Sequence, residues 1–522
     1  MAYPSELGFW GGITSGTRLP KATEIITANA GRQTRPEPET GEYKEVVFIN
    51  GVPKEFVGQM TVTRGGGVVE GQDSGIYTES YLVEESAATT EDITIDRDIV
   101  FNVTWMRKPD NKKQIVYNYA VTAWNETIVA DGNTYDLDPA QSYFEVTAIE
   151  DIKAGVNYVS GSQSMLAVYL TQAGQEDGDG QEDGGGQEDG DGQGDEDGQE
   201  DNAGPAMTTL TRNGEYYRYE SPWSKAEGHR ISTRVMNSAG WQLSYEVRPS
   251  ISAYKTLRYK DNEPQAISFP GNLQEVLQVE SGLAYDIYDL PQLFYGTPVY
   301  GQANIETISV FENLYPQNVS FLDGHWAQED IRRLFALGVL DGNPVMFQPD
   351  QAMTRSQFIV ALAKALRLTL EPLPASRNRR VFVGEITFPD VGMERPDYQH
   401  IMAAYRAGIA QGKGSSNFNP DDLVTLEEAI HTIVQSIGLL DLGLDPTNMT
   451  RFADDDVISG WAKQAMYAAT RMGIFGPDEN GNIGPQQQIT KAFGAALINR
   501  MIEYMRTDLK RDYTEHIVHF AN

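Results

Sequence analysis

Three tetrapeptides that begin with threonine are the residues of this chain best suited to hold a ligand. They read Thr354-Arg-Ser-Gln357, Thr425-Leu-Glu-Glu428 and Thr490-Lys-Ala-Phe493. Each precedes an apolar stretch with helical spacing. Thr354 with Gln357 and Thr425 with Glu428 fit the capping box, in which the first side chain binds a backbone N–H group and the fourth returns to the cap. We predict that these four residues and Thr490 begin helices.

The second position of the tetrapeptide carries a cation in two of three cases, Arg355 and Lys491, with Leu426 in the other. A cation in the first turn opposes the helix macrodipole and costs about 0.3–1 kcal/mol. Backbone N–H groups at a helix start also bind anions, and arginine grips a carboxylate with two hydrogen bonds, lysine less directionally. We therefore predict that Arg355 and Lys491 contact an anionic ligand; the alternative is a solvated surface charge.

Each tetrapeptide is the last of several short motifs that recur three times in the chain. Their threonines are 71 and 65 residues apart. Each is preceded, in the same order, by Phe-x-Asp, Gly-Val or Gly-Ile, and Phe-x-Pro, with Ile483-Gly-Pro485 in the third copy. Each unit predicts helix, loop, helix, and a single helix pair buries too little surface to be stable alone. We expect three units to pack around one core.

Phe-x-Asp, His-Trp-Ala, Phe-x-Pro and Thr-Arg-Ser-Gln resemble the S-layer homology (SLH) repeat, whose signature is a Thr-Arg-Ala-Glu-type tetrapeptide. The resemblance covers residues 321–503. It implies a three-pronged helical bundle that binds a secondary cell-wall polymer, commonly one bearing pyruvyl ketals. Arg355 and Lys491 would then meet a pyruvyl carboxylate, and Leu426 departs from the family's arginine.

Other repeated residues have two interpretations each. The aspartates of Phe-x-Asp favour helix caps or turns over hydrogen bonds to sugars: Asp323, Asp390 and Asp454. Trp326 and Trp461 favour core anchors over sugar-stacking platforms. Gly412 would allow close approach of the polymer, although loop geometry explains it equally well. We carry all six as candidate polymer-binding residues.

The preceding part of the chain has a β pattern. Val, Ile, Tyr, Thr and Trp alternate with polar residues between turn signals over about 41–170 and 206–312, which predicts antiparallel strands in a sandwich or closed sheet. The predicted fold class is multidomain, with an antiparallel all-β N-terminal region and an all-α C-terminal bundle of three SLH repeats. The predicted segments are an extended 1–40, a β domain at 41–174, a second β domain or a continuation of the first at 205–315, an acidic tract at 175–204, and repeats at 318–372, 385–443 and 449–510.

The acidic tract dominates the charge. Residues 175–201 contain only Gln, Gly and thirteen acidic residues, within a chain of net charge −33. Such a segment cannot bury apolar surface, so we predict a solvated linker or inserted loop; adjacent strands at 164–170 and 206–211 would favour the insertion. Loosely condensed Ca²⁺ is the one cofactor considered, and no specific metal site is predicted. The charge argues against nucleic acid as a partner, and the absence of cysteine excludes disulfides and thiolate sites.

No catalytic signature is present, so we predict a protein that is not an enzyme. No run of 18 apolar residues predicts membrane insertion. The first residues lack a signal-peptide pattern, so we expect a signal removed before this numbering begins. The leading hypothesis is an extracellular S-layer-type protein of the cell wall that self-associates into a lattice. The alternatives are an SLH-anchored enzyme or glycan-binding effector, and a phage or injection-machine protein that docks on the wall.

Overall fold

A computed structural model describes most of the chain. The described residues are 10–15, 38–48, 53–69, 71–87, 90–130, 132–173, 206–259, 273–289, 300–314, 319–371, 388–411, 416–443 and 450–518. The acidic tract at 175–204, most of the N-terminal segment 1–40, and Gly412 lie outside these residues. Every structural statement below concerns the described part.

The N-terminal region is one antiparallel sheet. Its strands are β1 Ile13–Ser15, β2 Glu39–Val47, β3 Lys54–Arg64, β4 Ser74–Ala87, β5 Thr90–Arg107, β6 Gln114–Ala130, β7 Asn133–Leu137, β8 Tyr143–Ile152, β9 Asn157–Ala173, β10 Ala206–Glu220, β11 Ser224–Asn237, β12 Gln242–Tyr259, β13 Leu273–Asp289 and β14 Tyr300–Leu314. Consecutive strands pair, except that β7 and β8 both lie between β6 and β9, one along each half of β6.

The sheet continues across the acidic tract. β9 and β10 pair over their full length, with Thr171 opposite Ala206 and Asn157 opposite Glu220. The segments 41–174 and 205–315 therefore belong to one sheet rather than to two β domains. Residues 174–205 connect two adjacent antiparallel strands at the end of the sheet where β9 finishes.

Alternate residues of each strand point into a core shared by the early and late strands. In β4, for example, Tyr77, Tyr81 and Val83 are buried while most of their neighbours are exposed. The ring of Phe48, just after β2, stacks on Tyr245 of β12 with 4.0 Å between ring centroids. The sheet is therefore curled, so that its two ends close over one aromatic interior.

This interior also contains buried charge. Arg97 donates to Glu45 at 3.1 Å and to Glu126 at 2.8 Å, and all three side chains are almost fully buried. Glu85 lies beside them; burial, followed by the negative charge of Glu45, raises the pKa of the Glu85 carboxyl well above its ordinary value. The β core thus holds more carboxylates than cations at this point.

The C-terminal region is helical. Its helices are α1 Gln328–Ala336, α2 Arg355–Ala365, α3 Tyr398–Ala407, α4 Leu426–Ile437, α5 Lys463–Arg471, α6 Lys491–Thr507 and α7 Leu509–Asp512, followed by a π turn at Tyr513–Val518. Each repeat contributes a first helix (α1, α3, α5) and a second helix (α2, α4, α6). Within the described residues, no helix combines the length and the apolar character needed to cross a membrane.

The helices pack in cyclic order. α3 packs on α2, α5 on α4, and α1 on α6, so each first helix lies against the second helix of the preceding repeat. We call these contacts seam 1–2, seam 2–3 and seam 3–1, after the repeats that they join. The core between them is rich in Ala, Ile, Leu and Met.

The sheet covers the C-terminal ends of all three second helices. Trp223 Nε1 donates to the Ala365 carbonyl of α2 at 2.9 Å, and the Tyr158 hydroxyl donates to the Ile437 carbonyl of α4 at 2.9 Å. The Ser224 hydroxyl donates to the Met505 carbonyl of α6. The last carbonyls of a helix have no partner within the helix, so these side chains supply the missing donors.

Trp223 is the centre of this junction. The guanidinium carbons of Arg367 and Arg506 lie 4.8 and 4.7 Å from its ring centroid. Burial lowers the pKa of Arg506 to about 10, and Glu275 of β13 supplies a counter-charge 3.7 Å from Arg367. The two regions share one apolar core here, so the second-helix starts point away from the sheet.

Candidate functional site

The tetrapeptides begin the second helices and cap them. The Thr354 hydroxyl accepts from the Gln357 N–H at 3.3 Å, and the Gln357 side chain accepts from the Thr354 N–H at 3.1 Å. Thr425 and Glu428 make the same reciprocal pair in α4. Thr490 accepts from the Phe493 N–H at 3.2 Å, without a returning side chain. All five capping residues thus occupy helix starts.

The other N–H groups at these starts are engaged as well. In α2 the Arg355 N–H donates to the Asp422 carbonyl and the Ser356 N–H to the Pro420 carbonyl, both in the Phe-x-Pro loop of the next repeat. The same two bonds recur at α4, from the 485–487 loop, and at α6, from the 349–351 loop. The prediction of a free helix-start anion site is therefore wrong, because the first three N–H groups of every second helix already have protein acceptors.

The three starts are joined in a closed ring. Met353 N–H donates to the Ile489 carbonyl at 2.9 Å, Ile489 to Val424 at 3.1 Å, and Val424 to Met353 at 3.1 Å. Each residue immediately precedes the capping threonine of its repeat. The ring fixes the three tetrapeptides around one pseudo-threefold axis.

The second tetrapeptide position faces the docked loop. The Arg355 guanidinium carbon lies 4.9 Å from the Phe418 ring centroid, and Arg355 Nη2 donates to the Gln411 carbonyl at 2.6 Å. Burial lowers the pKa of Arg355, whose Nε is buried without a recorded acceptor. Leu426 is buried instead, where the docking loop presents Ile483 rather than phenylalanine. The apolar residue at position 426 thus accompanies an aliphatic residue in the loop that docks there.

Lys491 is placed differently from Arg355. Its Nζ donates to Gln351 Oε1 at 2.5 Å, and its side chain lines a groove at the first repeat. Of the two predicted cations, Lys491 is therefore the one that borders an open cavity. Arg355 is largely committed to an aromatic ring and a backbone carbonyl.

The aspartates of Phe-x-Asp mainly brace loops. Asp390 accepts from the Phe418 and Asn419 N–H groups at 2.9 and 2.6 Å, and Asp454 accepts from Ile483 and Gly484 in the same way. Burial acts to raise the pKa of Asp390, but these backbone hydrogen bonds outweigh it and the pKa is lowered. Asp323 instead accepts from the Gln328 side chain at 2.7 Å. These contacts agree with a turn-forming role.

The two tryptophans are exposed, so the expectation that they anchor the core is wrong. Trp326 is 59% exposed and Trp461 is 52% exposed. Trp326 stacks near His325 and lies 6.3 Å from Phe493 of α6, which places it at seam 3–1. Trp461 meets His431 of α4 edge-on, with ring centroids 5.1 Å apart, at seam 2–3. Exposure follows from this position, because each indole covers a seam from outside.

Seam 1–2 lacks a tryptophan in the described residues and has a groove of about 420 Å³. Tyr398, half-buried, begins α3 here. The polar groups that line the groove are Asp341, Asn343, Ser356, Gln357, Asp397, His400 and Lys491. Burial and then the charge of Lys364 lower the pKa of His400, and no partner is recorded for its buried Nδ1.

Two seams also contain a buried polar pair that sequence reasoning missed. Glu427, 3% exposed, accepts from the Ser459 N–H at 3.0 Å and the Ser459 hydroxyl at 2.7 Å across seam 2–3. Ser356, at the corresponding position of repeat 1, bonds to Asp397 across seam 1–2. At seam 2–3 the second helix carries the acid and the next repeat the hydroxyl, whereas at seam 1–2 the second helix carries the hydroxyl and the next repeat the acid. A comparison of the residue at the third tetrapeptide position with the polar residues before the first helix of the next repeat could have suggested these pairs.

Histidine was the other missed signal. His325, His400 and His431 lie one at each seam, a placement that the sequence motifs did not predict. In the part of the chain that the structure covers, no group of three or more His, Asp and Glu side chains is placed to share a metal ion.

This geometry defines a class of protein in which three helix–loop–helix repeats close into a cyclic bundle and expose aromatic seams. The S-layer homology domain family matches three segments of this chain, residues 322–359, 387–430 and 451–492. The chain therefore contains three SLH repeats, and the resemblance seen in its motifs is confirmed. SLH domains imply non-covalent association with the cell wall at the cell surface.

Relatives of two kinds are similar to part of this chain. A surface-layer 125 kDa protein of Lysinibacillus sphaericus is 27% identical over 194 residues, 36% of this chain and 15% of that protein. An amylopullulanase of Thermoanaerobacterium thermosulfurigenes is 27% identical over 210 residues, 40% of this chain and 10% of that enzyme. The exoglucanase XynX of Acetivibrio thermocellus is 29% identical over 191 residues, 36% of this chain and 16% of that enzyme.

The matches therefore cover less than a fifth of each relative. S-layer proteins and polysaccharide-degrading enzymes both appear among them, so similarity extends to the anchor and not to one activity.

Proposed function

We propose that this chain is a non-enzymatic cell-surface protein, held at the wall by a pyruvylated secondary cell-wall polysaccharide bound at the seams of its SLH bundle. The observation that carries the proposal is the pair of exposed tryptophans, Trp326 and Trp461, at equivalent seams. Large aromatic side chains left exposed to water are typical of binding sites, and sugar rings offer the flat apolar faces that an indole can cover.

The charged groups support an anionic polymer. Lys491 borders the seam 1–2 groove, and a carboxylate there would pair with its ammonium group. Arg355 can add a hydrogen bond only through a guanidinium that is already half-buried. We therefore assign the carboxylate contact first to Lys491 and second to Arg355. Asp323, Asp390 and Asp454 would act by holding the loops, and Gly412 is retained from the sequence motif alone.

The test is binding of the full chain to isolated wall polysaccharide. Trp326→Ala combined with Trp461→Ala should weaken binding by about 30-fold or more, since aromatic hot-spot residues cost about 2 kcal/mol or more on truncation. Trp241→Ala, in the β region away from the seams, is the matched control. Equal binding by the double variant and the control would contradict the proposal.

The β region is proposed to extend from the wall and to make the lattice contacts of an S-layer. The S-layer relative and the two enzyme relatives favour different roles for the β region, so an anchored glycan-active enzyme is the second candidate. Ordered arrays of purified protein in the presence of Ca²⁺ would support the first. Release of reducing sugar from α- or β-glucans by the purified chain would instead support the second.

A further inference from the structure

The turn between β5 and β6 is strongly basic in an acidic protein. Residues 107–113 read Arg-Lys-Pro-Asp-Asn-Lys-Lys, with four cations and one acid, whereas the whole chain has a net charge of −33. We call this segment the basic turn. A local cluster of positive charge on a negatively charged protein concentrates anions at that place.

The basic turn lies at the junction between the sheet and the bundle. Lys113 Nζ donates to the Ala407 carbonyl at the end of α3, at 2.5 Å. Lys153, in the neighbouring connection between β8 and β9, runs past Gly438 at the end of α4. The turn therefore borders the second SLH repeat, on the side of the molecule that carries the wall anchor.

Its positive charge is only partly compensated. Arg107 donates to two backbone carbonyls, those of Gln72 and Lys112, each at 3.0 Å. No ion pair is recorded for Arg107, Lys108 or Lys113 within the described residues. Lys112 pairs with Asp73 at 2.7 Å, and both side chains are mostly exposed to solvent, where such a pair is weak.

Lys153 adds to the same field. It pairs with Asp151 at 3.0 Å, yet burial and then the charge of Lys153 lower the pKa of Lys113. Burial is the larger cause of this lowered pKa, and the positive charge of Lys153 acts in the same direction. With Asp73, Asp110 and Asp151 counted as the nearby acids, five cations face three carboxylates.

The basic turn is within reach of a polymer at seam 1–2. His400 in the groove and Ala407 beside Lys113 are seven residues apart on α3, about 10 Å at 1.5 Å per residue. We propose that the basic turn is a second contact surface for the anionic wall polysaccharide, binding carboxylate or phosphate groups of the chain that leaves seam 1–2. This inference rests on the proposed function and extends the site beyond the SLH repeats.

The test uses the full chain and isolated wall polysaccharide in low salt. Lys108→Glu with Lys112→Glu should weaken binding by about tenfold or more, and the loss should shrink in 0.5 M salt because exposed charges are screened. Lys54→Glu with Arg234→Glu changes the net charge equally at the far end of the sheet and should have little effect. Circular dichroism should show both double variants folded.

Two further arms separate the outcomes. With depyruvylated polymer, loss of the Lys108/Lys112 effect identifies carboxylates as the bound groups, and persistence identifies phosphates. Equal binding by the basic-turn variant and its control would overturn the inference. If the Trp326/Trp461 variant still binds less than wild type in that case, the proposed function stands without the basic turn; if it too binds like wild type, the proposed function fails.

Discussion

The two ends of the three second helices are held in different ways. At the N-terminal ends, backbone groups of one repeat bond to the next, and the ring through Met353, Val424 and Ile489 repeats the same bond three times. At the C-terminal ends, single side chains from the sheet region donate hydrogen bonds to the last carbonyls, Trp223 to α2 and Tyr158 to α4. One end is stabilised by a repeated motif and the other by side chains that occur once.

The N-terminal ends of the second helices therefore carry the candidate binding residues, whereas the C-terminal ends attach the bundle to the sheet. The repeated end needs only the SLH sequence, so it can be shared by proteins with otherwise different functions, as the relatives show. The C-terminal ends depend on residues outside the SLH repeats, because their donors come from β9, from β11 and from the turn between β10 and β11. The bundle is therefore built from repeats that other proteins share, and it is attached to the sheet by side chains outside those repeats.

We expect the largest loss of stability from a substitution at the C-terminal ends of the second helices. Trp223→Ala removes a 2%-exposed indole and its bond to Ala365, and it leaves Arg506 buried without the ring. Large-to-small core substitutions of this type cost about 3–5 kcal/mol, so urea unfolding should shift to much lower denaturant or separate into two transitions. Trp326→Ala, which truncates an exposed indole, is the control and should change stability by about 0.5 kcal/mol or less. Equal midpoints would contradict the shared core.

A smaller effect should distinguish two seams. Ser459→Ala leaves the buried Glu427 carboxylate without its hydroxyl donor, which costs about 1–3 kcal/mol. Ser356→Ala should cost less, because Asp397 keeps two bonds from Arg395, at 2.9 and 3.0 Å. The measurement is the unfolding free energy of each variant. A larger loss for Ser356→Ala would contradict this ranking of the seams.

The last expected effect depends on pH and concerns the β core. The raised pKa of Glu85 means that the folded protein holds this proton at pH values where the unfolded chain, near 4.5, has lost it. Stability from this group is therefore greatest below that pH and falls as the pH rises through the window up to the raised pKa. Glu85→Gln should remove this loss, so its midpoint should gain on wild type as the pH increases.

Glu84→Gln, which replaces the adjacent exposed acid, is the matched control. Its midpoint should follow wild type across the same pH series. A difference between Glu85→Gln and wild type that stays constant with pH would contradict the account of the β core.

The local features of the bundle could be predicted from the sequence. Helix starts at Thr354, Thr425 and Thr490 depend on neighbours within four residues, and the repeat spacing reports three equivalent units. The acceptors for the helix-start N–H groups could not, because they belong to a loop of another repeat. Trp326 was misjudged for the same reason, since its burial depends on the seam and not on its own helix.

In the β region, alternation indicated strands but not their number or extent. β3 and β4 have a weak strand pattern because Gly, Glu, Ser and Thr dilute their apolar positions, although their inward residues are buried. Pairing of β9 with β10 was correctly favoured, because both flanks of the acidic tract have strand character. The junction at Trp223 carried no sequence signal, since a lone tryptophan before a strand does not report what it packs against.

The most direct test of the central claim is calorimetric titration of the full chain with purified wall polysaccharide, before and after chemical removal of its pyruvyl groups. The account predicts saturable binding of the intact polymer and binding at least tenfold weaker after depyruvylation, since the cations at the seams would lose their carboxylate partners. Identical affinity for the two polymers, or no binding to either, would contradict it.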